Sequence, residues 1–564
     1  MDEFAYHNST QENENEFLFQ NRQFIYVNDQ NNSTYPNGQV QFDLASLSNG
    51  GKFIDWSQSF VAVPLVMNVN FTSLGAQNAE NIFVASLKNG FHNLINSMSV
   101  EITNCQTVNL TNLSNLDINF RLLTSSGISD ERNFLPSINF AKDSAETITY
   151  QGTGTANGTG LGECNNVIKQ SVFTSATGYG ATGFGSSNVG RVERIRNTSF
   201  DPSGCTQSVY TSLASLNASG KNYVKQTGTT DVTYYILATI PLKICHDIFR
   251  KLPLTKGMYM RLTLNLNTQC QSVISIGGTG TTYTGYSTTS VSNQFPCMMS
   301  PLGTGNGAVL TSATSATLSL GIGKSFQGST TFAHPTLSSC RVYACSYDMT
   351  PQAEQAYFSA VPTKKIQYND ILTFSSQSIV SGGTVNQILT NGVSRPRYLL
   401  VIPQMAGAVH GSAVATIGSS FTAGTATSAL GSPMLSPFSS SPATTCPLAT
   451  ITNFNVFVSG TSVYQSSLQY GFEEFLNEVR GSNSLNGGIP LGISSGLIDS
   501  VSWENGYRFY YVDLSRRVSQ ANDDIPRALQ VQFTNSSPVM MDYTFVIAYE
   551  RELSISTSTG ALVI

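Results

Sequence analysis

Charge is what this chain has least of. Asp, Glu, Lys and Arg make up 11% of its 564 residues, against about 25% in an ordinary globular protein. Lys+Arg number 29 and Asp+Glu 34, so the net charge is −5. That balance excludes a basic nucleic-acid binder, because phosphate contacts need clustered Lys and Arg. Histidine is rare too: the five (His7, His92, His246, His334, His410) are scattered, with no zinc-ligand spacing. The nine cysteines include no CxxC pair, and reduced, buried thiols are the expectation for so large a chain. Cys245 and His246 are adjacent, and packing rather than ligation is the expectation for them. No run reaches 18 apolar residues, so no membrane-crossing helix is expected. The N-terminal stretch MDEFAYHNSTQENENEF is acidic and has no apolar core, unlike a signal peptide.

What fills the gap is Ser, Thr, Asn, Gln and Gly, beside 40% hydrophobic residues. The hydrophobic share excludes a solvating disordered chain. A neutral polar surface suits dense packing against neighbours, since little charge must be desolvated and little repulsion accumulates. A secreted β-rich protein is the plainer alternative.

Strand signals dominate. Met258, Met260, Leu262, Leu264 and Leu266 alternate with Tyr259, Arg261, Thr263 and Asn265, a period of two that no helix satisfies. Val40, Phe42 and Leu44 alternate likewise, as do Met98, Val100 and Ile102. The run FVAVPLVM (60–67) contains Pro64, which predicts an edge or a bend because proline cannot donate to a ladder. Ile82 to Leu94 has helical spacing. A short helical connector is expected around Asp247 to Leu252. Trp503, Tyr507, Phe509 and Tyr511 fall on odd positions and predict a strand, followed by Leu529, Val531 and Phe533 and by YTFVIAYERELSIS. Residues 1–35 read as a polar arm. Three long stretches carry almost no charge: 151–190 with ten glycines and two charges, 262–333 with Lys324 alone, and 398–472 with none.

The chain also repeats itself. INSMSVEITN (95–104) and ITNFNVFVSG (451–460) match apolar to apolar at an offset of 356, and without a gap LSNLDINFRLL then faces QYGFEEFLNEV, both of helical pattern. TYYILATIPL before GMYMRLTLNLN parallels YRFYYVDL before RALQVQFTN. Two copies of one all-β domain account for this, with a boundary near 350–362.

No motif carries chemistry. GYGATG (Gly178, Gly180, Gly183) matches a dinucleotide fingerprint but has no helix behind it. GISSG (Gly492, Ser494, Gly496) matches a nucleophile elbow, yet the last histidine, His410, lies upstream of it. GIGKS (321–325) has Leu318 where a phosphate loop needs glycine. Glu473–Glu474 and Asp523–Asp524 sit on a helix face and in a turn before Pro526, with no reason to be desolvated. No catalytic, cofactor or metal residue is therefore assigned.

Several segments together resemble one family. QNRQFIYVNDQNNSTYPNGQVQFDLASLSNGGKFIDWSQSFVAVPLVM, LKNGFHNLINSMSVEITNCQTVNLTNLSNLDINFRLLTS, IPLKICHDIFRKLPLTKGMYMRLTLNLN, CRVYACSYDMTPQAEQAYFSAVPTKKIQYNDI and YTFVIAYERELSISTSTGALVI resemble the double jelly-roll major capsid proteins of polinton-like viruses and virophages. The resemblance implies an all-β chain of two tandem eight-stranded jelly rolls with short helices and long inserted loops. It divides into an arm (1–35), a first roll (36–352) and a second roll with the C-terminal tail (353–564). It implies a homotrimer, a pseudo-hexagonal block that tiles the icosahedral shell of a double-stranded DNA virus, put together inside the infected cell. Its partners would be further copies, penton and minor capsid proteins, and a host receptor reached through the outer loops at 151–230, 268–335 and 404–449. It implies no catalysis, no sequence-specific nucleic-acid binding and no membrane span. The competing reading is an all-β attachment or carbohydrate-binding protein, for which 24 Tyr and 31 Phe supply stacking surfaces.

Overall fold

The structure is a computed structural model. It describes residues 19–71, 84–143, 223–225, 231–276, 283–290, 294–300, 315–323, 337–406, 434, 435, 437, 443, 445, 449–481, 495–515 and 525–563, apart from 36, 49, 50, 104, 338, 361 and 539. The strands in chain order are β1 Phe19–Asn28, β2 Gln39–Asp43, β3 Phe53–Phe71, β4 Val84–Leu87, β5 Ile95–Ile102, β6 Cys105–Leu110, β7 Tyr223–Lys225, β8 Asp231–Pro241, β9 Met260–Leu266, β10 Cys270–Ile276, β11 Tyr283–Thr289, β12 Cys297–Ser300, β13 Ser315–Ile322 and β14 Arg341–Met349. The second half continues with β15 Thr363–Ile379, β16 Thr384–Val393, β17 Pro396–Met405, β18 Ile451–Val458, β19 Thr461–Ser462, β20 Tyr510–Asp513, β21 Arg527–Asn535, β22 Met541–Ser556 and β23 Leu562–Val563. Four helices matter below: α1 Ser114–Ser125, α2 Pro351–Ala360, α3 Phe472–Gly481 and α4 Ser500–Asn505.

All the ladders are antiparallel, and their order is diagnostic. In the second half one sheet runs β15-β22-β17-β20 and the other β16-β21-β18-β19. Numbered along the chain, those eight strands read 1-8-3-6 and 2-7-4-5, the wrap of a jelly roll. The first half repeats it, with β1-β14-β3-β8 facing β2-β9-β5-β6. Both halves close a sandwich whose inner faces meet in an apolar core. The alternation along β9 is as expected: Met260, Leu262, Leu264 and Leu266 are buried, while Arg261 is exposed. The internal repeat also holds in space. β5 and β18 are each fourth strands, α1 and α3 each follow the fifth strand, β8 and β20 are sixth strands, and β9 and β21 are seventh.

The first roll carries an insertion between its seventh and eighth strands. β10, β11 and β13 form a three-stranded extension that joins β3 beyond the end of β14. Pro64 sits at that changeover. β14 pairs with β3 as far as Ala62, and β13 takes over from Leu65. Pro64 is therefore in a central strand, where an edge or a bend was expected. Its missing donor falls where one neighbour stops and the next begins, while its carbonyl still accepts from Gly323 N at 2.8 Å. The two rolls' insertions touch: the Met434 carbonyl accepts from Phe295 N at 2.8 Å and from the buried Lys88 Nζ at 3.2 Å.

Three other expectations need correction. Residues 19–28, placed in the polar arm, form β1, the first strand of the first roll. They are held there by nine residue pairings to β14 and by aromatic stacking across it. The helical spacing at 82–94 resolves into β4 and a 3-10 turn at Phe91–Leu94, because Gly90 breaks the chain with φ +83°. A short buried apolar run cannot be told from a helix by spacing alone. Trp503 lies on α4, not on a strand. Asp499 caps that helix, accepting from Ser502 N at 2.8 Å, and only Tyr510–Asp513 extend as a strand. Helix α2, with Phe53 ringed by its Tyr357 and Phe358, spans the expected boundary between the rolls.

Candidate functional site at the seam between the rolls

The two rolls meet through α1. It leaves the first roll after β6, yet its apolar side chains Leu116, Ile118, Phe120, Leu122 and Leu123 belong to the second roll's core. The Phe120 ring lies 5.2 Å from Phe509 and 5.4 Å from Tyr511, centre to centre. At the helix end Leu497 N donates to Leu123 O at 2.7 Å. Gly496 makes this approach possible: it has φ +71°, and a Cβ there would overlap the carbonyl oxygens of Leu123 and Thr124. Gly496→Ala is expected to cost about 3 kcal/mol, from backbone strain and a displaced helix end. A shift of the urea midpoint checks it, and an unchanged midpoint would refute the close approach.

Polar groups line the rest of the seam, in two clusters. In the first, Asp117 on α1 accepts from Arg121 Nε at 2.7 Å and from Tyr398 Oη at 2.6 Å, the tyrosine coming from β17 of the other roll. Burial, reinforced by Asp117, holds the Tyr398 phenol well above its ordinary pKa. In the second, Asp370 on β15 accepts from Tyr549 Oη at 3.0 Å, Arg551 Nη1 at 2.9 Å and Ile371 N at 2.9 Å, with His246 Nε2 at 3.4 Å. Because Ile248 N donates to His246 Nδ1 at 3.2 Å, the ring proton sits on Nε2 and points at Asp370. Burial alone would raise the Asp370 pKa; the hydrogen bonds from His246 and Arg551 outweigh it and hold the value down to about 2. Asp247 ties the clusters together, accepting from Asn369 N at 3.1 Å and pairing with Arg250 at 2.6 Å.

These groups border a cleft of about 110 Å³ lined by Asp117, Arg121, His246, Asp247, Arg250 and Tyr398, among others. Its chemistry is that of a joint. Asp370 is kept ionised and occupied by fixed donors, so it has no proton to give. The one serine in the lining, Ser125, spends its hydroxyl on the Arg121 carbonyl at 2.5 Å. Among the described residues no group of three His, Cys, Asp or Glu could hold a metal ion.

The sequence motifs fall elsewhere. GYGATG, Ser494 and Asp523–Asp524 lie outside the described residues, as do Lys324 and Ser325 of GIGKS. Gly321 lies within β13, and Gly323, just past the end of that strand, donates its N–H to the Pro64 carbonyl. Glu474 accepts from Gly471 N at 2.8 Å and so caps α3, while Glu473 is exposed on its first turn. His246 belongs to the Asp370 cluster, whereas the Cys245 sulfur turns to the Pro241 carbonyl at 3.7 Å, its thiol pKa pushed by burial up to about 12. All six described cysteines are free, five of them buried. The seam residues were not singled out from the sequence. The one local signal was the Asp117–Arg121 pair, four apart on a helix otherwise almost without charge.

Two large aromatic side chains of β1 are exposed. On the outer side of β1-β14-β3, Phe24 and Tyr26 are 53% and 51% exposed. They continue a ladder in which Tyr26 and Tyr343 lie 5.6 Å apart and Tyr343 stacks on Phe60 at 4.9 Å. The Arg341 guanidinium covers Tyr26 at 4.5 Å.

No protein-family model matches the chain, and a search of curated proteins returns no match. Among solved structures the chain is similar to a chain of the Sputnik virophage solved by cryo-electron microscopy, with 12% identity and TM-score 0.49, over 97% of this chain and 89% of that one. It is similar to the mavirus major capsid protein (10%, TM-score 0.43, 100% and 94%) and to the Faustovirus major capsid protein (10%, TM-score 0.42, 96% and 92%). The fold rests on the strand order itself: the same eight-strand wrap occurs twice in one chain, joined by a buried polar seam. This chain is a double jelly-roll protein.

Proposed function

We propose that the chain is the major capsid protein of a double-stranded DNA virus, a non-catalytic shell protein that works as a homotrimer. The observation that carries this reading is the tandem pair of rolls with one strand order, set side by side in a single chain. Three such chains present six similar rolls, a pseudo-hexagonal block that tiles a flat face. A head-to-tail contact closes such a ring by rotation. The scarcity of charge supports it, since many identical copies must pack without mutual repulsion. The division of the chain is taken at 352/353, at the start of α2. The shell of the virion is the place of action. Other copies, penton and minor capsid proteins are the partners, and the inserted loops are the surface offered to a host receptor.

The native mass of the purified chain, followed through salt and dilution, tests this reading. A trimer that survives dilution, and hexagonal arrays on imaging, are the expected results; a stable monomer would overturn it. The exposed ladder around Tyr26 favours one rival, an attachment or carbohydrate-binding protein, because sugars stack on exposed aromatic rings. Glycan capture by the isolated monomer would support that rival.

A further inference from the structure

Two of the buried thiols face each other. Cys270 opens β10, the first strand of the inserted sheet, and Cys297 opens β12, which pairs with β4. Both are fully buried, and the Cys297 thiol is hydrogen-bonded to that of Cys270. The chain around them fixes this meeting. Asn267 and Gln294, each three residues upstream, bond side chain to side chain at 2.6 Å, and the Cys270 thiol donates back to the Asn267 carbonyl at 3.4 Å. On the other side the Pro296 carbonyl accepts from Lys88 N at 2.6 Å, and Cys297 lies opposite Leu87. The other buried thiols have different neighbours: Cys245 turns to Pro241, Cys340 lies against Tyr35, and Cys345 accepts from Arg22 Nε at 3.3 Å.

The pair sits where the insertions of the two rolls touch. Phe295 N, two residues before Cys297, donates to the Met434 carbonyl, and Lys88 Nζ donates to the same oxygen. Burial, helped by Cys270, holds the Cys297 thiol well above its ordinary pKa, and the Lys88 ammonium pulls against it. The closed pair is therefore slow to react, and Lys88 favours the Cys297 thiolate once opening relieves the burial. Sulfurs already in contact reach bonding distance by side-chain rotation.

We propose that Cys270 and Cys297 are a dithiol site that closes to a disulfide in an oxidising medium and clamps the junction of the two insertions. The oxidant is a low-molecular-weight disulfide such as glutathione disulfide. When the chain around Cys297 opens, its thiolate attacks one sulfur of the oxidant, breaks that S–S bond and releases one glutathione thiolate. The Cys270 thiolate then attacks the Cys297 sulfur of the mixed disulfide and releases the second. Two protein thiols lose two protons and two electrons, and one glutathione disulfide becomes two glutathione molecules. The new ring holds β10 and β11 and removes freedom from the unfolded chain. A reducing interior leaves the site open and an oxidising exterior closes it. The inference stands apart from the shell reading, and its failure would leave that reading untouched.

The test incubates the full chain with reduced or with oxidised glutathione, then quenches in acid, denatures, alkylates and digests for mass spectrometry. Chymotrypsin, cutting after Tyr283 and Tyr286, separates the two cysteines, which trypsin cannot because no Lys or Arg lies between them. The oxidised sample is expected to contain a peptide pair joined through Cys270 and Cys297, absent from the reduced sample, and to melt about 5 °C higher. Cys270→Ser and Cys297→Ser are each expected to lose that rise, while Cys105→Ser, at the exposed thiol, keeps it. Full alkylation of both cysteines after oxidation, or crosslinks no more frequent between them than between other pairs, would overturn the proposal. A crosslink with no rise in melting temperature would overturn the clamp. Should the serines weaken the fold, Cys270→Ala and Cys297→Ala take their place, and a rise that survives in either would also count against the site.

Discussion

Lowering the pH from 7 to 3 is expected to remove about 4–5 kcal/mol of stability through His92 alone. His92 is 2% exposed, in the turn between β4 and β5, with its ring 6.1 Å from Phe140 and pressed against Gly90, whose missing Cβ leaves it room. Among the described residues its Nε2 finds no hydrogen-bond partner. Burial drives its pKa down to about 3, opposed by Asn119 and reinforced by Arg121. The sign follows from proton counting. The unfolded imidazole takes a proton below about pH 6.5 while the folded one refuses it until about pH 3. The contribution is therefore complete above pH 6.5 and is lost progressively as the pH falls toward 3. Asp370 acts in a lower window: its stabilisation is complete above its ordinary value of 3.8 and fades as the pH falls toward 2. Between pH 6.5 and 4 the slope belongs mainly to His92. Urea midpoints measured over that range should fall for the wild type and stay nearly flat for His92→Phe. Equal slopes would show that His92 is not held neutral.

Phe120→Ala is expected to cost about 3–5 kcal/mol, the usual loss for a fully buried aromatic ring. The location of the damage matters more than its size. Phe120 belongs by sequence to the first roll, but its ring is fully buried against Phe475, Phe509 and Tyr511 of the second. Hydrogen exchange should therefore accelerate first along β20 and α3, with β1 and β14 protected as before. The opposite pattern, loosening confined to the first roll, would contradict the placement of α1. Ile128→Ala, at a side chain 68% exposed just beyond the helix, should change little.

Local chemistry was legible in the residues. Alternation along Met260–Leu266 marks a half-buried strand wherever the chain goes, because side chains on a strand point to opposite faces. The repeat at 95–104 and 451–460 survives for the same reason: both are fourth strands of one wrap and bury the same face. The scarcity of charge argued against a basic nucleic-acid binder before any fold was known. Where local pattern and environment part company, reading failed. Residues 19–28 look like arm until β14 is beside them, and Trp503 looks like strand until the Asp499 cap is counted. Pro64 reads as an edge or a bend until its strand is seen to change partners.

The residues thus determined by themselves an all-β chain and its doubling, because periodicity and composition act over a few neighbours. The seam was decided only in three dimensions. Asp370 meets His246 across 124 positions of sequence and Arg551 across 181, and Asp117 meets Tyr398 across 281. No local pattern encodes such pairings. The wrap of the two rolls brings them together.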